Sequence, residues 1–170
     1  LQISDMIKKE RPEANIIFVD KEQLAFAAIK NYMDLYQYVL KMTAGHSYNY
    51  LFVDEIQEIE DFQLCLRRLL NENKCDIYCT GSNAKMLSGE LATHLAGRYI
   101  EFPVHSLSYE EFLTFNRRQD SSESLRLYLT FGGMPYIHNL AMETNLIFEY
   151  LRNVYSTILL KDVVAREAIR

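Results

Sequence analysis

Short apolar runs alternate along the chain with longer segments in which apolar residues recur every three or four positions. ANIIFVD (14–20), YLFVD (50–54) and CDIYCTG (75–81) are apolar runs that end in an acid or a polar turn, the pattern of buried parallel strands. RYIEFPV (98–104) predicts a fourth strand. Between the runs, Ile3, Met6 and Ile7 predict a helix over 1–11, stopped by Pro12. Leu24, Ile29, Met33, Leu35, Tyr36, Val39 and Leu40 predict a helical region over 23–43, closed by Gly45. Phe62, Leu66, Leu69 and Leu70 mark one face of a helix over 59–72, with Arg67 and Arg68 off it. Residues 84–96 also read as helical. Strands alternating with helices predict an α/β fold, a parallel sheet with helices on its faces in three layers.

After about residue 107 the strand pattern ceases. Ser108 followed by Glu111 is a capping box that opens a helix through SYEEFLTFN. Asp120 and Glu123 repeat the device before SLRLYLTF. Gly132-Gly133-Met134-Pro135 breaks the chain sharply, and two further helical stretches are expected, the second near 143–165. The expected division is therefore an α/β core over 1–106 and an all-α subdomain over 107–170.

Composition narrows the class. The 170 residues are 49% hydrophobic and 24% charged, which excludes a disordered or low-complexity chain. Lys and Arg number 18 against 23 Asp and Glu, so the net charge of -5 argues against nucleic acid as a partner of this segment. The basic pairs Lys8-Lys9, Arg67-Arg68 and Arg117-Arg118 read as solvated helix faces. No apolar run approaches the roughly 18 residues that span a bilayer, so no membrane is expected. Cys65, Cys75 and Cys79 are odd in number and lack CxxC spacing, which suits a reducing cytoplasm. His46, His94, His105 and His138 are scattered, and zinc is not expected. The chain starts at Leu1 and stops in KDVVAREAIR, and the expectation is an excerpt of a longer protein, cut at both ends.

The candidate chemistry sits at the strand ends. YLFVDEIQEIEDF places Asp54 and Glu55 after four apolar residues, at the carboxyl end of a strand, where open parallel sheets bind ligands. Two adjacent carboxylates cannot both enter a core without a heavy desolvation cost. They must meet a cation, a wet cleft or solvent: one acid can hold hydrated magnesium and the next can polarise a water. Equally, Asp54 could simply cap the next helix. The next strand ends in Thr80-Gly81-Ser82-Asn83, where Asn83 could contact a terminal phosphate or a water. On spacing alone, Ser82 or Asn83 as a helix cap is the commoner explanation. Arg98, after Gly97, could stabilise charge on a transferring phosphate or form a surface ion pair. The chain contains no GxxxxGK[ST] phosphate loop, GxSxG, HExxH or GxGxxG.

Taken in order, VDEIQ, TGSN, LAGRY and GGMP resemble the AAA-plus ATPases of the P-loop class. More narrowly, the chain resembles prokaryotic members that join such a core to an uncharacterised C-terminal nuclease-like domain. The resemblance implies a partial P-loop NTPase core and a helical lid. It implies ATP and Mg2+ as ligands of the intact protein, with Asp54 as the Walker B aspartate that holds magnesium through water and Glu55 as the water-activating glutamate. Asn83, with Ser82 beside it, would be the sensor, and Arg98 an arginine finger serving an adjacent subunit of a homo-oligomer. Gly133 and Pro135 would lie near the adenine. Residues 1–10 resemble the end of the helix after the Walker A loop, so the loop and its lysine are expected to lie ahead of Leu1. The fragment itself is then expected to bind ATP poorly, while the missing C-terminal domain could bind DNA. The alternative is a nucleotide-gated binding or scaffold module with little turnover, its surface built from Tyr109, Phe112, Phe115, Tyr128, Phe131 and Tyr136; these rings serve equally as the core of the helical subdomain. A third reading is a degenerate relative that binds no nucleotide.

Overall fold

Three of the apolar runs form a parallel sheet in the order β1-β2-β3: β1 (Asn15–Asp20), β2 (Asn49–Asp54) and β3 (Asp76–Cys79). This is a computed structural model, and it describes residues 2–81, 94, 95, 97–140 and 143–158. Six α-helices are described: α1 (Gln2–Glu10), α2 (Tyr32–Thr43), α3 (Phe62–Asn71), α4 (Tyr109–Phe115), α5 (Ser122–Phe131) and α6 (Thr144–Ile158). Two compact units result, Leu1–Glu101 and Phe102–Arg170. The fold is α/β, a three-stranded parallel sheet flanked by helices, followed by a helical subdomain.

In the first unit, strand alternation sorts the side chains onto two faces. Ile17, Val19, Leu51 and Val53 face one way, each at most 1% exposed. They pack with Leu35 and Val39 of α2 and with Phe62, Cys65, Leu66 and Leu69 of α3. Fully burying one such side chain contributes about 1.5–3 kcal/mol, so this seam is the unit's main cohesion. The even positions form an aromatic ladder on the other face. Phe18 stacks on Phe52 at 5.0 Å and Phe52 on Tyr78 at 4.8 Å, in the strand register. At the amino ends of the strands, Asn15 Nδ2 donates to Asn49 Oδ1 at 2.8 Å, and Asn49 Nδ2 donates to Lys74 O at 3.3 Å.

Several boundaries differ from the expected ones. The helical region over 23–43 is a 3-10 turn, Leu24–Phe26, and then α2. Lys21 Nζ donates to the carbonyls of Phe26 and Ile29, at 3.0 and 2.6 Å, and so takes acceptors that a continuous helix would use. Asn31 then starts α2 with a capping box: it accepts from Met33 N and Asp34 N, and Asp34 reaches back to the Asn31 backbone. The expected fourth strand is absent: 98–104 carries no strand. A strand pattern becomes a strand only where a sheet edge is within hydrogen-bonding reach. Ile100, Phe102 and Val104 are 79%, 79% and 95% exposed, so their alternation meets no partner surface. The expected helix over 84–96 lies almost wholly outside the described residues.

In the second unit, Ser108 and Glu111 form the expected capping box at α4. The cap of α5 falls one residue later than Asp120: Ser121 accepts from Ser124 N at 3.1 Å. Asp120 instead accepts the Tyr109 hydroxyl at 2.9 Å. Phe131, Ile137 and Ile147 form a small core with Leu127, Leu140, Tyr150 and Leu151 packed around it. Of the six rings named above, Phe112 and Phe131 are buried, while Phe115 and Tyr136 are 46% and 53% exposed. No helix among the described residues is long and apolar enough to cross a membrane.

Candidate functional site at the carboxyl rim of the sheet

Asp54 is the last residue of β2, and its side chain is exposed. The β2–β3 pairing runs one step past the strand ends: Thr80 N donates to Val53 O at 2.9 Å and Ile56 N to Thr80 O at 3.1 Å. That pairing carries Thr80 to the doublet. The Thr80 hydroxyl donates to Asp54 Oδ1, and its oxygen accepts the Glu55 N–H at 3.4 Å.

Glu55 has φ 52° and ψ 50°, left-handed backbone that is uncommon for a residue with a side chain. Such a conformation costs on the order of 1 kcal/mol and persists where surrounding bonds over-determine it. Here the bonds to Thr80 lie on one side and the 3-10 turn Ile56–Glu58 on the other, with Glu58 N donating to Glu55 O at 3.0 Å. Ile56 and Ile59 are each 1% exposed and anchor the turn in the core. Gln57 Nε2, from the same turn, donates to Glu55 Oε2. On the far side of the rim, Lys21 N donates to Asp54 O at 3.4 Å. Asp54 thus ends its strand as an exposed carboxylate and is not the cap of α3, whose N-cap position is Asp61.

The expected residues fall in different places. Asp54 and Glu55 share the carboxyl rim with Thr80. Ser82 and Asn83 lie outside the described residues. Arg98 lies elsewhere: its Nη1 donates to Asn71 Oδ1 at 2.6 Å. Asn71 ends α3, which runs back from the carboxyl rim to the amino rim, where Lys74 meets Asn49. Six strand residues separate the rims by about 17 Å. Within one subunit, therefore, Arg98 and the doublet occupy opposite rims. Gly133 and Pro135 belong to the second unit. The close approach of Leu107 explains the glycine at 133: Leu107 N donates to Gly133 O at 2.8 Å, and an added Cβ would stand 2.1 Å from Leu107 O. Pro135 opens the 3-10 turn Pro135–Asn139 and is exposed.

Sequence reasoning named the TGSN turn but gave Thr80 no part, and passed over Gln57. For Thr80 the signal was the register: Val53 pairs with Cys79, so the next residues on each strand, Asp54 and Thr80, must also meet. The three cysteines take no part in the rim chemistry. Burial pushes the thiols of Cys65 and Cys79 up to about 12 and that of Cys75 up to about 11. Among the described residues, no group of three or more His, Cys, Asp or Glu side chains is placed to hold a metal ion.

A parallel sheet flanked by helices and followed by a helical subdomain is the architecture of a P-loop NTPase-like core. The family described as AAA domain matches residues 2–113, and the chain belongs to that family. It is 33% identical over 162 residues to an uncharacterised protein of Haemophilus influenzae, a match covering 92% of this chain and 40% of the relative. It is 36% identical over 131 residues to an uncharacterised protein of Methanocaldococcus jannaschii, covering 71% of this chain and 29% of the relative. The chain thus spans well under half the length of these two relatives.

Proposed function

We propose that the intact protein binds and hydrolyses ATP at the carboxyl rim of the sheet and couples turnover to a further, C-terminal effector domain. The observation that carries this reading is the contact between Thr80 and Asp54, which joins the acidic doublet to the neighbouring strand end in an AAA-family chain. Asp54 is an exposed carboxylate with the hard oxygen donors that magnesium takes, and magnesium is commonly held by one or two carboxylates with water and phosphate completing its shell. Bound there, magnesium would supply charge stabilisation on the phosphate oxygens. Glu55, half-buried and oriented by Gln57, accepts the proton of the attacking water. Asn83, with Ser82, contacts the terminal phosphate, and Gly133 and Pro135 border the adenine from the helical lid. Arg98 serves the nucleotide of an adjacent copy, a role its position on the opposite rim leaves open to it. The lysine-bearing phosphate loop has no counterpart in these 170 residues and in this reading belongs to sequence outside them.

Single-turnover hydrolysis by the full-length protein tests the assignment. Glu55→Gln keeps the shape and removes the base, and loss of a general base commonly costs about 10²–10⁴-fold. Equal rates in the two proteins would reject Glu55 as the base. The 170-residue chain alone should give no measurable heat on titration with ATP; micromolar binding would mean that the phosphate site is misplaced.

A further inference from the structure

Thr80 stands where the two strand ends meet, and both of its backbone polar groups are bonded to the β2 side. Its N–H donates to Val53 O at 2.9 Å, and its carbonyl accepts from Ile56 N at 3.1 Å. These bonds straddle Asp54 and Glu55, so the backbone itself fixes residue 80 against the doublet. A β-branched side chain is also stiff at χ1. The hydroxyl is therefore delivered to one place, where it donates to Asp54 Oδ1. A carboxylate oxygen accepts and does not donate, and the Glu55 N–H reaches the same hydroxyl oxygen at 3.4 Å, so the hydroxyl hydrogen points at Asp54. Oδ2 has no hydrogen-bond partner among the described residues, and the side chain is exposed. The terminal torsion of an aspartate is broad, so pinning one oxygen sets the plane of the whole carboxylate. Between exposed groups such a bond adds little stability, because water competes for both ends; what it fixes is direction.

We propose that Thr80 is a positioning residue for the metal: its hydroxyl holds Asp54 by Oδ1 and leaves Oδ2 to the hydration shell of a magnesium ion bound with nucleotide. The proposal rests on the ATP reading above. Hydrogen-bond partners of metal-binding carboxylates orient them, and losing such a partner typically costs about 10–100-fold in metal affinity. Magnesium keeps several of its waters, so Asp54 acts on it at one remove and the low end, about tenfold, applies here. Thr80 reaches the metal through Asp54 alone, and its effect should vanish once that carboxylate is gone.

Metal binding, read without turnover, tests this. Mn2+, which takes the same oxygen ligands as magnesium, is titrated into the full-length protein held in excess over a non-hydrolysable ATP analogue. Loss of the free-ion EPR signal gives the half-saturating concentration. Thr80→Val and Thr80→Ala should raise it about tenfold, while Thr80→Ser stays within about twofold of wild type. Affinity for the analogue in EDTA should hold within about twofold in all three, because the hydroxyl acts on the metal's ligand and not on the nucleotide. Asp54→Asn should raise the Mn2+ midpoint at least as far, and Thr80→Val added to it should raise it no further. A shift in Asp54→Asn, with Thr80→Val and Thr80→Ala at the wild-type value, overturns the role of Thr80 and leaves the ATP reading standing. So does a Thr80→Ser shift as large as that of Thr80→Val, an equal loss of analogue affinity in EDTA, or a further shift in the double variant. A midpoint unmoved by Asp54→Asn overturns the ATP reading at Asp54, and this proposal with it.

Discussion

Replacing Thr80 with Val keeps the branched shape and removes one hydroxyl. That hydroxyl donates to Asp54 Oδ1 and receives the Glu55 N–H at 3.4 Å. The second contact is long and contributes little. A hydrogen bond to a charged group contributes about 1.5–3 kcal/mol when shielded. Both partners are exposed here, so water recovers much of it, and the expected loss is about 1 kcal/mol. With a urea slope of about 2 kcal/mol per molar, the unfolding midpoint should fall by about 0.5 M. Thr80→Ser keeps the hydroxyl and should lie within about 0.2 M of wild type. Urea unfolding followed by circular dichroism reads both. A Val variant with the wild-type midpoint, or a Ser variant that loses as much as Val, would refute the view that this hydroxyl ties the two strand ends together.

Four further outcomes follow from particular contacts. Gly133→Ala forces a Cβ to 2.1 Å from a backbone oxygen, so the helical unit should lose more than about 3 kcal/mol, seen as an early unfolding transition. Asn31→Ala removes the side-chain acceptor of the α2 capping box, leaves Asp34 accepting the residue-31 N–H, and should cost about 1 kcal/mol by thermal unfolding. The Arg68 guanidinium, bonded at 3.0 Å, and then the Tyr36 hydroxyl hold Glu72 below its ordinary 4.5. Its contribution is present above that ordinary value and disappears as pH falls through the lowered one, so the stability gap between wild type and Glu72→Gln should be open at pH 7 and closed in acid. With thiols at about 12, 11 and 12, Cys65, Cys75 and Cys79 should alkylate slowly at pH 8 in the native protein and rapidly in urea; fast native labelling would contradict their burial.

The sheet was legible because its signal is short-range. Four apolar residues and an acid make a buried strand whose end must reach water, and Asp54 obeys that rule. The capping boxes divide instructively. Ser108 and Glu111 behave as written, whereas the device at Asp120 lost to Ser121 because Tyr109 competes for the Asp120 carboxylate. The break before α2 was illegible because Lys21, distant in sequence pattern, takes the carbonyls that would continue the helix. RYIEFPV has the local pattern of a strand, yet pattern alone supplies no edge to pair with. At the rim, residue type pointed to Asp54 and Glu55. The part of Thr80 emerged only once two strand ends were side by side, a relation that no single stretch of sequence carries, while Gln57 reaches Glu55 through the left-handed turn between them.

The distance between Asp54 and Arg98 has a directional consequence. Two copies joined by bringing one copy's Arg98 to the other's acidic rim would bridge opposite ends of the sheet, since the guanidinium is bonded to Asn71 at the other end. A two-fold axis would make that contact twice across one patch holding both rims, whereas a head-to-tail arrangement makes it once per interface. Copies joined head to tail would each lend an arm forward and receive one from behind, and that array would either close into a circle or grow as a spiral, while the two-fold arrangement would stop at a pair.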